Sequence, residues 1–128
     1  MNLLLDTHAL LWFAFEDAKL PPPARAAISS ESNEIFVSAI SALEIAIKHR
    51  IGKLPDAAIF ANDFVSCIER LNFTGLPIEV ETARLAGAMR HAHRDPFDRL
   101  LIAQALTGDY VIVSNEQVFD EFGVKRLW

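Results

Sequence analysis

At 128 residues the chain is sized for a single domain spanning 1–128, and its 52% hydrophobic content excludes a disordered or low-complexity protein. Twelve basic residues against 17 acidic ones leave a net charge of −5, which argues against holding nucleic acid by bulk positive charge. No apolar run is long enough to cross a bilayer, and Asp6 interrupts the apolar start a signal peptide would need. The single cysteine, Cys67, excludes an internal disulfide, so the cytoplasm is the expected location.

In chain order, Leu3–Leu5 reads as a buried strand and Ala9–Phe15 as the helix after it. Pro21-Pro22-Pro23 marks a turn before a short helix near Ala24–Ser29, where proline suits the first positions. Ile35–Val37 is a second strand, leading into a helix from about Ala39 to Ile51 that stops at Gly52. Asp56–Leu71 carries Ile59, Phe60, Phe64, Cys67, Ile68 and Leu71 at helical spacing and reads as one amphipathic helix. Phe73–Leu76 is a short third strand and Glu79–His91 a further helix. Asp95-Pro96 opens a helix ending near Gly108, Tyr110–Val113 is a fourth strand, and a short helix precedes a final strand at Val124–Leu127. Strands alternating with helices predict an α/β fold of three layers, α/β/α, around a central, mostly parallel sheet. In such a sheet the loops after the strands gather at one carboxyl edge, where ligands bind.

Three strands run to or towards an acid at that edge. Leu3–Leu5 ends at Asp6, Ile35–Val37 leads to the helix bearing Glu44, and Val111–Val113 leads to Ser114-Asn115-Glu116. Asp95 and Asp98 open the helix before the fourth strand. Each acid also has a structural reading. Asp6 or Thr7 can cap the first helix, and Ser41 with Glu44, like Ser114 with Gln117, has capping-box spacing. Asp95 before Pro96 is a good N-cap, and Asp98 then lies in a first turn that favours negative charge. Glu44 fits capping least, because a helix starting near Ala39 puts it a full turn inside. Taken together, convergent carboxylates repel one another unless a hard divalent cation sits among them, and Mg²⁺ favours oxygen ligands and phosphate. No phosphate-binding glycine loop, dinucleotide fingerprint or Gly-x-Ser-x-Gly elbow offers a rival chemistry. An acidic, metal-binding edge suited to hydrolysis is the reading that periodicity and spacing support.

Ordered sets of residues add a family. Leu4-Leu5-Asp6-Thr7-His8 with Leu11-Trp12 comes first, followed by Val37-Ser38, Ser41, Leu43-Glu44-Ile45, Lys48 and Gly52-Lys53-Leu54. His93-Arg94-Asp95-Pro96-Phe97-Asp98-Arg99 running through Ala105 is the most specific stretch, and Ser114-Asn115-Glu116 and Leu127-Trp128 close the series. The chain thereby resembles the PIN-domain ribonucleases and, within them, the VapC-type toxins of toxin–antitoxin pairs. That resemblance implies a PIN-like fold and an endoribonuclease that uses Mg²⁺ or Mn²⁺. It assigns Asp6, Glu44 and Asp98 as the catalytic, metal-binding acids, with Glu116 as a further metal ligand. Glu116 stands where the family usually carries Asp, and Asp95 matches an extra acid that is ranked first as a helix cap. The implied partners are an RNA substrate, a cognate antitoxin and a second copy in a homodimer.

Lys48, Arg94 and Arg99 are the expected phosphate-holding cations, with pairing of Arg99 to Asp95 as the alternative. His8, His91 and His93 are read as bystanders. Phe13, Phe15, Ile59, Phe60 and Phe64 are read as core or as the wall of an antitoxin groove. A catalytically silent binding module, or a metal-dependent nuclease or phosphatase with another substrate, are the competing functions.

Overall fold

A computed structural model describes residues 1–128. In chain order the elements are β1 (Asn2–Leu5), α1 (Thr7–Ala14), α2 (Pro22–Ser29), β2 (Glu34–Ser38), α3 (Ala39–Arg50), α4 (Ala58–Asn62), α5 (Phe64–Arg70), β3 (Thr74–Leu76), α6 (Val80–Ala88), α7 (Pro96–Gly108), β4 (Val111–Val113) and β5 (Lys125–Leu127). Single 3₁₀ segments lie at Pro55–Ala57 and Gln117–Phe122. The five strands form one sheet in the order β3-β2-β1-β4-β5, and every pairing is parallel. The expected three-layer fold with a parallel sheet is therefore the fold observed.

Alternation along β1 explains the layers. Leu3 and Leu5 are fully buried in one apolar cluster with Leu10 and Leu11 of α1, Ala24 and Ile28 of α2, and Phe60 and Ile68 of α4 and α5. Leu4 points the other way, into a second cluster with Leu101, Ile102 and Ala105 of α7, Ile112 of β4 and Phe119. A strand buried on both faces has no polar side to show, which is why β1 reads as an unbroken aliphatic run.

Two predicted helices end differently from expectation. The stretch 56–71 is not one helix: it breaks at Asp63, whose backbone (φ −150°, ψ 62°) leaves the helical region between α4 and α5. Asn62 and Asp63 are poor helix formers, so the apolar spacing continues across a chain that the backbone does not. The helix predicted for 79–91 stops at Ala88, and Met89–His93 is irregular. Carbonyls of this segment are taken by Arg99, described below. Elsewhere α3 ends as expected before Gly52 (φ +81°), where a residue with a β-carbon would be strained.

Candidate active site

Strand register sets the level of the site. Leu5 of β1 is in register with Val37 of β2 and Val113 of β4, so Asp6, Ser38 and Ser114 follow at one level on the carboxyl edge. From β1 the chain builds outward to β2 and β3 on one side and to β4 and β5 on the other. Open parallel sheets form their ligand crevice where the order reverses in this way. Asp6 stands at that point, its amide donating to the Val113 carbonyl (3.1 Å).

The Asp6 side chain does cap α1: Oδ1 accepts from the Ala9 amide at 2.7 Å. The residue is only 6% exposed. Burial is the main reason its carboxyl pKa rises to about 6; the Asp98 charge adds to the rise, and the Ser114 hydroxyl, the Ala9 amide and His8 oppose it.

Asp98 lies in the first turn of α7. Asp95 is the N-cap of that helix, its Oδ1 accepting from the Phe97 amide (2.9 Å) and more distantly from the Asp98 amide (3.4 Å). Oδ2 of Asp98 is 2.8 Å from Nε2 of His93. Its pKa is also raised, first by burial, then by the charges of Asp95 and Glu116, while His93 pulls it down. Asp6, Asp98 and Glu116 thus share one electrostatic field although they come from three separate parts of the chain. Glu116 is exposed, and its amide donates to the Ser114 hydroxyl (3.0 Å). This removes Ser114 from the capping-box pairing with Gln117 that its spacing allowed.

Glu44 is buried but differently satisfied. Ser38 caps α3 through the Ile40 amide (3.1 Å), so Glu44 sits inside the helix and cannot be part of a cap starting at Ser41. The Thr7 hydroxyl donates to Glu44 Oε1 (2.5 Å) and lies 3.1 Å from the Ser41 hydroxyl. Lys48, one turn on, donates to Oε2 (2.5 Å). Glu44 is tied to the Asp6 loop through Thr7, yet its charge is already balanced by Lys48. The ligand atoms that do lie within 4.8 Å of one another belong to His93, Asp95 and Asp98, and not to Asp6, Glu44 and Asp98 together.

Two further expectations are corrected. Arg99 is no free phosphate-binding cation and does not pair with Asp95. Its guanidinium donates to the carbonyls of Ala86 (2.8 Å), His91 (3.2 Å), His93 (2.8 Å) and Met89. His93 is no bystander, since it holds Asp98. Sequence reasoning missed both because a salt-bridge spacing pointed Arg99 at Asp95, and because the separation of five positions from His93 to Asp98 fits no regular periodicity. Capping spacing does not show that the Thr7 hydroxyl reaches Glu44 while the Ser41 hydroxyl lies against Thr7. Among the other cations, Arg94 is exposed, and Arg84 is paired with Glu81 on the surface.

The donor set on this edge is carboxylate oxygen with hydroxyl support, which is what a hard divalent cation selects. Burial is the main reason both the Asp6 and Asp98 carboxyls are raised, and a bound cation offsets the cost of holding them charged in such desolvated positions. The residues present therefore fit a divalent metal.

The family model for the PIN domain matches residues 3–125. Among solved structures, the chain is similar to a chain of VapBC2 from Rickettsia felis bound to a DNA fragment from their promoter, at 14% identity and TM-score 0.70, covering 99% of this chain and 98% of that one. It is similar to a chain of DNA-bound VapBC from Salmonella typhimurium, at 18% identity and TM-score 0.69, covering 99% and 97%. FitAcB from Neisseria gonorrhoeae matches at 17% identity and TM-score 0.68, covering 98% and 96%. At these identities the likeness is one of fold. No curated protein sequence matches the chain.

Proposed function

The chain belongs to the PIN domain family, and from that premise we propose that it is an endoribonuclease dependent on Mg²⁺ or Mn²⁺, the toxin of a toxin–antitoxin pair. The observation that carries this reading is the buried Asp6 at the strand-order reversal, its carboxyl pushed up to about 6 by burial and by the neighbouring charge of Asp98. The fold likeness to chains of VapBC complexes supports the toxin role.

Asp6, Glu44 and Asp98 are the residues that would hold the ion, with Glu116 at the rim of the same edge. When bound, a divalent ion neutralises charge on the phosphoryl oxygens and makes a nearby water more acidic. The protein's part is positioning. The Ala9 amide and the α1 turn fix Asp6; Thr7, itself against Ser41, fixes Glu44; and His93 fixes Asp98. Lys48, drawn to Glu44 Oε2, is the cation closest to hand for a substrate phosphate once that oxygen is engaged elsewhere, and exposed Arg94 is a second.

An antitoxin would find an apolar groove lined by Phe15, Ile59, Phe60 and Leu71, where Phe15 is 45% and Ile59 52% exposed. A homodimer is part of the same proposal, and light scattering of the purified toxin checks it. Cleavage of mixed cellular RNA with Mg²⁺, with chelator, and by Asp6→Asn and Asp98→Asn proteins tests the enzyme. Cleavage only by the wild-type protein with metal is the expected result. Equal cleavage by both variants would remove the proposed site, and no cleavage by any antitoxin-free form would favour a silent binding module. Harmless expression in cells without antitoxin would count against the toxin role.

A further inference from the structure

We infer that Arg99 is a positioning residue: by gathering the carbonyls of Ala86, Met89, His91 and His93 onto one guanidinium, it holds His93 against Asp98 and so sets the orientation of the Asp98 carboxylate. This rests on the reading of Asp98 as a metal ligand.

The geometry has three linked parts. Helix α6 ends at Ala88 and leaves last-turn carbonyls without intrahelical partners, among them that of Ala86. Arg99 Nε takes the Ala86 carbonyl, Nη2 takes that of Met89, and Nη1 takes those of His91 and His93. Arginine can do this because its donors sit in one rigid plane; a lysine ammonium has three donors on one atom and cannot reach four carbonyls spread over eight residues.

The irregular stretch so gathered ends at His93, whose own amide donates to Nδ1 of His91 (3.0 Å). The His91 ring lies tilted against Phe122 with centroids 4.1 Å apart, which anchors the stretch to the segment after β4. His93 then presents Nε2 to Asp98 Oδ2 at 2.8 Å. Arg99 follows Asp98 directly on α7, so the carboxylate and the clamp that orients its partner are carried by one rigid element.

Carboxylates that bind metals depend on the hydrogen bonds that orient them, and removing such a bond typically weakens metal affinity by about 10–100-fold. The experiment measures two quantities in wild type, Arg99→Lys, His93→Gln and Asp98→Asn: Mn²⁺ affinity by calorimetry, and, for the proteins that keep it, the ring-nitrogen resonances of His93 by NMR in metal-free protein. In Arg99→Lys the His93 resonances should move to the positions seen in Asp98→Asn, while those of His8 and His49 stay in place. Mn²⁺ affinity should fall about tenfold in both Arg99→Lys and His93→Gln, and Arg99→Lys should add nothing in an Asp98→Asn background. Wild-type His93 resonances in Arg99→Lys, or wild-type Mn²⁺ affinity in His93→Gln, would overturn the inference. Wild-type Mn²⁺ affinity in His93→Gln overturns the inference even if Arg99→Lys fails to fold, and Arg99→Gln then supplies the His93 resonances. If Asp98→Asn binds Mn²⁺ like wild type, the metal reading itself is overturned, and the positioning role with it; that failure is told apart by the Asp98 variant alone.

Discussion

Asp6 uses one carboxylate for two purposes, closing the first turn of α1 and carrying a charge into a nearly dry position. Asparagine caps helices as well as aspartate does, so Asp6→Asn separates the two. RNA cleavage should fall by about a hundredfold or more, the loss of roughly 3 kcal/mol of charge stabilisation. The pH dependence of stability has a definite sign. The folded-state pKa of about 6 lies above the ordinary 3.8, so this residue's contribution is fully present below about pH 4 and is lost as pH rises through 6. In metal-free protein, the stability of Asp6→Asn relative to wild type should therefore increase between pH 4 and pH 7, by on the order of 3 kcal/mol, as read from urea unfolding. A flat difference across that range would show that Asp6 ionises normally.

Helix ends and glycines supply the tests at the level of elements. Asp95 takes two amides at the start of α7, and Asp95→Ala should cost about 1 kcal/mol, whereas Asp95→Ser should restore most of it and keep RNA cleavage. Loss of cleavage in a stable Asp95→Ser protein would reassign that acid to the chemistry. Gly108 ends α7 with the Tyr110 ring lying where a β-carbon would be, while Gly87 in α6 faces open space. Gly108→Ala should destabilise by about 1–3 kcal/mol through overpacking. Gly87→Ala should stabilise by roughly 0.5–1 kcal/mol because alanine loses less backbone freedom in a helix. Denaturation midpoints of the two variants should move in opposite directions.

For the molecule as a whole, a net charge of −5 and an acidic edge make RNA binding unfavourable without a cation. In the metal-free protein Lys48 is paired with Glu44, Arg84 with Glu81 and Arg99 with backbone carbonyls, while Arg94 is exposed. Filter binding of RNA should appear with Ca²⁺ or Mg²⁺ and vanish with chelator, and retention in chelator would point to a separate cationic surface. The two apolar layers also predict where stability resides. Phe119, fully buried beneath β4 and α7, should cost about 3–5 kcal/mol when replaced by alanine, although it lies in a 3₁₀ segment rather than a long helix.

The sequence by itself determined the order and type of most elements, because buried parallel strands must be aliphatic throughout and helices facing them must repeat their apolar residues every third or fourth position. It also determined which acids follow the strands, since Asp6 is read directly after β1 and Glu116 three positions after the end of β4. Element ends were less legible: Asp63 breaks a helix that apolar spacing carries through, and α6 stops at Ala88, short of His91, with Arg99 taking carbonyls there. What only the tertiary structure decided was how charge is shared among the acids. Burial and the approach of Asp98 set Asp6 apart, Lys48 and Thr7 satisfy Glu44, and His93 reaches Asp98 from an irregular stretch. These depend on distances between side chains brought together from distant parts of the chain, and electrostatic interactions are decided by such distances and by exclusion of water, neither of which is written in any local pattern.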